Sequence, residues 1–317
     1  MTVVTKLNLS TSPGIWQISL PFQGEEEIIG SYVMADNDEL AIIDPGPAST
    51  ANALLAALRE AGFEPSSVTH LLLTHIHLDH AGGVGTLLPL MPKAKVYVHT
   101  KGAPHLIDPT NFLASASRTY GEHMSELWGE TYPIPADRIR VLGDGAILNV
   151  AGRRLEVHYA PGHAVHHIIF YDVHAGELFA GDAAGVRLLG IDYVRPPTPP
   201  SDLDLEAWSN TINKLKRLRP DVLYLAHFGP VDVPTKHLER LRERLYFWGD
   251  FVLGAMRDGK EEEEIITLLS KHANTDLLRA AGNDRALERY DLGASYAMCV
   301  QGFMHYWREK HPELFPF

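Results

Sequence analysis

The spacing of apolar and polar positions changes several times along the chain, and each change marks a new element. Residues 14–20 and 28–34 are rich in β-type residues, and 40–43 follow the polar turn Asp36-Asn37-Asp38, which is the pattern of strands with a hairpin. Asp44-Pro45-Gly46-Pro47 stops the third strand. Ser49 or Thr50 is placed to cap a helix to about Ala61, with Gly62 beyond its end. The short apolar run 68–73 suits a strand buried on both faces. It leads straight into Thr74-His75-Ile76-His77-Leu78-Asp79-His80, after which Ala81-Gly82-Gly83 leaves room for a helix to begin.

A strand at 96–99 precedes an insertion at 101–135, where Leu113, Ala116, Tyr120, Met124, Leu127 and Trp128 recur at helical spacing. Strands then read at 139–142, 146–150, 154–159, 168–171 and 177–180. A helix at 203–218 precedes a strand at 222–226 that ends at His227. After Pro234 the pattern is helical: Leu238, Leu241, Leu245, Trp248, Val252 and Met256 step by three or four, and two further helices are expected at 262–272 and 285–309. Two runs of strands with helices, followed by a helical tail, make an α/β chain with one domain over 1–230, its insertion at 101–135, and a C-terminal extension over 231–317.

Composition narrows the chemistry. The formal net charge of −12 disfavours nucleic acid as a partner, since an acidic chain repels phosphate backbones. No stretch approaches the ~20 apolar residues that span a bilayer, so no membrane is expected either. The single cysteine, Cys299, cannot form an intrachain disulfide and sits in an apolar run, as a buried, inert thiol would. Without a signal-peptide pattern, the expected location is cytoplasmic. The 17 histidines make metal chemistry the first thing to test.

His75, His77 and His80 offer imidazoles and Asp79 a carboxylate, ligands suited to zinc and other borderline metals. On a loop leaving a buried strand, backbone direction changes at each residue, so neighbouring side chains can address two different metals. His163, Asp182 and His227 each follow a predicted strand as well, which lets all of them converge at one edge of the sheets. One such His or Asp alone is more often a surface or capping residue. Seven together, in this placement, point to a metal centre.

On Asp44, the His75/His77/Asp79/His80 motif, His163, Asp182 and His227, the chain resembles the metallo-β-lactamase superfamily over about residues 14–230, in the glyoxalase II or lactonase-like branch. The resemblance implies an αββα sandwich of two mixed sheets flanked by helices. It also implies a first metal held by His75, His77 and His163, a second held by Asp79, His80 and His227, and Asp182 as the bridge. Asp44 would steady the ligand loop, although Asp-Pro-Gly is also simply a good turn. Two divalent cations are expected, zinc first, with iron, manganese or cobalt as alternatives. Such a pair brings a bridging water's pKa toward neutrality, and the hydroxide attacks a carbonyl carbon or a phosphorus, with Asp79 and Asp182 as catalytic carboxylates.

The same resemblance separates subfamilies. The best-known β-lactam hydrolases have Cys where this chain has Asp182, and the flavodiiron oxidases have Glu at the position of His77. Lactonases place a Tyr shortly after the bridging Asp, where this chain reads Ala183-Ala184-Gly185 and the next tyrosine is Tyr193. Phe112, Tyr120 and Trp128 of the insertion are candidates for an apolar substrate wall, and His167 for a supporting role beside His163. The expected activity is therefore metal-dependent hydrolysis of a small ester, lactone or related bond, with an iron-dependent oxidoreductase, a thioesterase or a phosphoesterase as alternatives. The insertion and tail either shape the pocket or form an interface with a second copy, giving a homodimer.

Overall fold

A computed structural model of the protein describes residues 3–6 and 14–315. The first sheet has seven strands in sequence order: β1 (Val4–Lys6), β2 (Ile15–Phe22), β3 (Glu25–Asp36), β4 (Glu39–Ile43), β5 (His70–Leu72), β6 (Lys95–His99) and β7 (Ile139–Leu142). β1 to β4 pair antiparallel, and β4 to β7 pair parallel. The second sheet runs β13 (Gly229–Val231), β12 (Val222–Leu225), β11 (Glu177–Phe179), β10 (Ile168–Asp172), β9 (Arg153–Tyr159) and β8 (Ile147–Val150), with one parallel pair, β11 to β12.

The period-two pattern divides each strand between two apolar layers. Tyr32, Met34, Ala41, Ile43 and Leu72 of the first sheet meet Leu155, Val157, Ile168, Phe170, Phe179 and Tyr224 of the second in one core. The alternate residues, such as Val33, Ile42, Leu71, Ile169, Leu178 and Leu223, face outward under helices. Both faces of the central strands are apolar because both are covered, giving the helix–sheet–sheet–helix sandwich.

The helices of the sandwich are α1 (Ala51–Glu60), the single turns α2 (Leu78–Ala81) and α3 (Val84–Leu87), α4 (Ala103–Ile107), α5 (Thr110–Tyr120), α6 (Met124–Trp128) and α7 (Leu205–Leu218). After β13 come α8 (Pro234–Arg257), α9 (Glu262–Ala281), α10 (Arg285–Gly293) and α11 (Tyr296–Lys310).

The structure departs from the sequence pattern at several ends. The expected cap of α1 is replaced by a 3-10 turn, in which the Thr50 hydroxyl donates to the Pro47 carbonyl. The expected 285–309 helix is two: Ala294 is extended, and Ser295 caps α11 by accepting the Met298 N–H. The 262–272 helix runs on to Ala281, where Gly282 takes the left-handed conformation. β13 carries Pro230, which an edge strand tolerates. No helix among the described residues is long and apolar enough to cross a membrane.

Candidate metal centre

Four strand ends deliver the chemistry to one place. β5 leads into the His75–His80 loop, β9 into His163, β11 into Asp182 and β12 into His227. The seven side chains sort into two clusters, His75/His77/His163 and Asp79/His80/Asp182/His227.

In the first cluster, His77 Nδ1 lies 3.0 Å from both His75 Nε2 and His163 Nε2, and the last two are 3.3 Å apart. Three ring nitrogens at this separation have no proton-sharing arrangement that satisfies all of them, whereas a cation would. Burial holds each ring neutral: His77 is lowered to about 3, His75 well below its usual value and His163 also below it. Their lone pairs are therefore free.

In the second cluster, His227 Nε2 is 3.2 Å from Asp79 Oδ2 and 3.5 Å from Asp182 Oδ1, and His80 Nε2 is 3.4 Å from each of the same oxygens. His80 Nε2, His227 Nε2 and Asp182 Oδ1 are all buried without a hydrogen-bond partner. Buried polar atoms are rarely left so, and three of them facing one point is what a cation site requires. Burial works against charge here, yet the imidazoles of His80 and His227 hold Asp79 well below the usual carboxylate range. His227, His80 and His163 do the same for Asp182. The carboxylates in turn raise His80 and His227 despite their burial.

Asp182 joins the clusters. Its Oδ1 faces His80 and His227, while its Oδ2 lies 3.4 Å from His163 Nε2. The donor set, with imidazole nitrogens on one side and mixed nitrogen and carboxylate on the other, fits divalent cations.

The outer nitrogens of His80, His163 and His227 are fixed. His163 Nδ1–H donates to the Pro197 carbonyl and His227 Nδ1–H to the Ile28 carbonyl, both at 2.8 Å. Asp44 accepts from the Thr74 N–H at 2.8 Å, the Thr74 hydroxyl at 2.6 Å and His80 Nδ1–H at 3.0 Å. His167 Nε2 accepts the Asp182 and Ala183 N–H groups at 3.2 and 3.3 Å, and its ring stacks on His75. Burial keeps His167 neutral, as an acceptor must be.

The remaining candidates divide. Tyr120 packs edge-on against Trp128, and its hydroxyl points to Met298 Sδ of α11 at 3.9 Å. Burial and then the Asp79 charge push this hydroxyl well above its usual range, so it stays protonated. Trp128 stacks on Phe22, and Phe112 is half-buried against the main core. Tyr193 lies elsewhere: its ring sits under Arg244 of α8 at 3.8 Å and against Tyr290 of α10, in a groove between α8 and α9. A pair the sequence did not single out together, His166 and Asp202, comes within 4.8 Å of His77 by one ligand-type atom each. The Pro197 and Ile28 carbonyls have no signal in side-chain identity.

A fold of two packed sheets with a His/Asp centre at one edge defines a metal-dependent hydrolase class. Comparison with known proteins agrees. The family model described as the metallo-beta-lactamase superfamily matches residues 26–227, which contain all seven residues, and the chain belongs to this superfamily. Its members are metal-dependent hydrolases that bind divalent metals. A metallo-beta-lactamase family protein from Thermus thermophilus superposes with a TM-score of 0.68 at 25% identity, covering 94% of each chain. A metallo-beta-lactamase fold-containing protein of Sulfurisphaera tokodaii is 28% identical over 221 residues, 68% of this chain and 79% of that one. A hydroxyacylglutathione hydrolase of Aeromonas hydrophila is 31% identical over 48% of this chain, which spans only 44% of that enzyme. An atrochrysone carboxyl ACP thioesterase of Aspergillus fumigatus is 25% identical over 78% of this chain and 65% of its own length.

Proposed function

We propose that the protein hydrolyses a small, largely uncharged ester, lactone or thioester, using two divalent cations held by the seven residues. The observation that carries this reading is the orientation of Asp182, one oxygen toward each cluster. When bound, the cations supply Lewis acidity and a water made nucleophilic near neutral pH. His75, His77 and His163 arrive neutral and pre-arranged, so the first cluster needs little reorganisation on loading, whereas His80 and His227, raised by the ionised Asp79 and Asp182, release a proton as a cation takes their Nε2 atoms.

We take Tyr120 as the candidate hydrogen-bond donor to a substrate oxygen, because its hydroxyl stays protonated and its partner is only a thioether. The insertion and α11 meet at this residue. The names of two relatives, a hydroxyacylglutathione hydrolase and an ACP thioesterase, put thioesters among the first substrates to assay. A small-molecule substrate and a cytoplasmic setting complete the reading.

The test is metal quantification followed by a panel of thioester, lactone, aryl ester, phosphotriester and phosphodiester substrates. The expected result is about two divalent ions per chain, zinc or a similar borderline metal, and carbonyl-ester hydrolysis that falls by at least about 100-fold in Asp182→Asn. Retention of one ion or none, or full activity in metal-replete Asp182→Asn, overturns the proposal.

A further inference from the structure

Residues 195–199 run between the metal centre and the C-terminal helices, and they are bonded to both. On the inner side, the Pro197 carbonyl accepts His163 Nδ1–H at 2.8 Å, which leaves Nε2 as the lone pair facing His75, His77 and Asp182. On the outer side, the Thr198 hydroxyl donates to the Cys299 carbonyl at 3.0 Å, and Cys299 Sγ donates to the Pro196 carbonyl at 3.4 Å. Arg195, fully buried, donates to the Ala294 carbonyl at 2.8 Å and lies 4.0 Å from the centre of the Tyr296 ring.

Helix α11 approaches this segment backbone to backbone. A methyl group at Gly302 would stand 1.9 Å from the Thr198 carbonyl oxygen and 2.8 Å from its carbon. Only glycine permits that approach. The segment itself is stiff, since Pro196, Pro197 and Pro199 fix three of its φ angles. The Pro197 carbonyl and Thr198 Cα belong to one planar peptide unit, so a shift at Thr198 carries that carbonyl with it.

We propose that α11 positions the first metal ligand set: Thr198 and Gly302 seat the helix on the proline segment and thereby hold the Pro197 carbonyl that fixes the tautomer and ring orientation of His163. This rests on reading His163 as a metal ligand. Groups that fix the outer nitrogen of a ligating histidine govern metal affinity by about 10- to 100-fold, and Thr198 acts on such a group at one remove. The C-terminal extension thus takes part in holding the metal centre.

The experiment uses the full chain with Thr198→Val, Thr198→Ser, Gly302→Ala and His163→Ala. Zinc is titrated against a chromophoric chelator, and the thermal midpoint of each metal-free form is measured beside it. Thr198→Val and Gly302→Ala are expected to weaken one of the two binding steps by about 10-fold and leave the other within about twofold, with Thr198→Ser restoring wild-type binding. Thr198→Val decides the matter if Gly302→Ala does not fold. Wild-type zinc binding in Thr198→Val, or a lower metal-free midpoint with unchanged zinc binding, overturns the proposal. Zinc binding unchanged in His163→Ala would instead sink the underlying metal assignment, and this proposal with it.

Discussion

Asp44 terminates two hydrogen-bond relays, and replacing it by asparagine measures what they are worth. Its backbone is left-handed, with φ at +49°. Asparagine tolerates that conformation where most residues do not, so Asp44→Asn isolates the carboxylate from backbone strain. One relay runs directly from His80 Nδ1–H to Oδ2 at 3.0 Å. The other runs from His75 Nδ1–H to the Thr74 hydroxyl at 3.1 Å, and from that hydroxyl to Oδ2 at 2.6 Å. If the amide oxygen keeps the Thr74 N–H bond, as Oδ1 does now at 2.8 Å, its NH2 group faces two donors.

A hydrogen bond to a buried charge contributes about 1.5–3 kcal/mol. His80 loses its partner outright, so about 2 kcal/mol falls on the second cluster, or roughly 30-fold in cation affinity. His75 is one bond further away and should lose a few-fold. The assay is zinc titration against a chelator, with circular dichroism to confirm folding. Two binding steps both within twofold of wild type would refute the relay argument.

Three other perturbations probe different parts of the argument. Gly162→Ala sets a methyl 2.3 Å from Trp208 Cα at a φ of +132°, next to His163. The loss expected in urea unfolding is more than about 2 kcal/mol, and a loss below about 0.5 kcal/mol would show that the loop yields freely. His237 is buried, donates Nε2–H to the Ala184 carbonyl at 2.7 Å, and is lowered by burial to about 4. Because the unfolded chain takes up this proton near pH 6.5, its contribution is complete above that pH and is lost as pH falls toward 4, by at most about 3 kcal/mol. His237→Gln should flatten the pH dependence of the urea midpoint across that window, and an unchanged slope excludes the assignment. Tyr120→Phe should lower kcat about tenfold with metal content unchanged, and unaltered kcat on every accepted substrate removes Tyr120 from the reaction.

Much of the centre was legible because its signal is local. A short strand followed by His75, His77, Asp79 and His80 carries ligand identity and placement in six consecutive residues, and His163, Asp182 and His227 repeat the strand-then-ligand grammar. Alternation marks β9, where Leu155 and Val157 stand between Arg154, Glu156 and His158, since a two-residue period arises from the pleat itself, while β3, β4 and β10 read as short apolar runs buried on both faces. Helix ends were less legible. The break at Ala294-Ser295 depends on a capping hydroxyl, and the apolar spacing on either side continues through it.

The sequence by itself determined which side chains are offered to a metal, and that they follow strands, because those properties belong to residue type and to neighbours along the chain. Tertiary structure decided how they are used. It turned Asp182 so that its oxygens divide between two clusters, and it chose which nitrogen of His80, His163 and His227 faces inward by supplying Asp44, Pro197 and Ile28 to the other. It sent Tyr193 to the C-terminal helices and set the Tyr120 hydroxyl against Met298 of α11. The reason is physical: these roles are set by partners 34 to 199 positions distant, from Pro197 with His163 to Ile28 with His227, and no local period records such contacts.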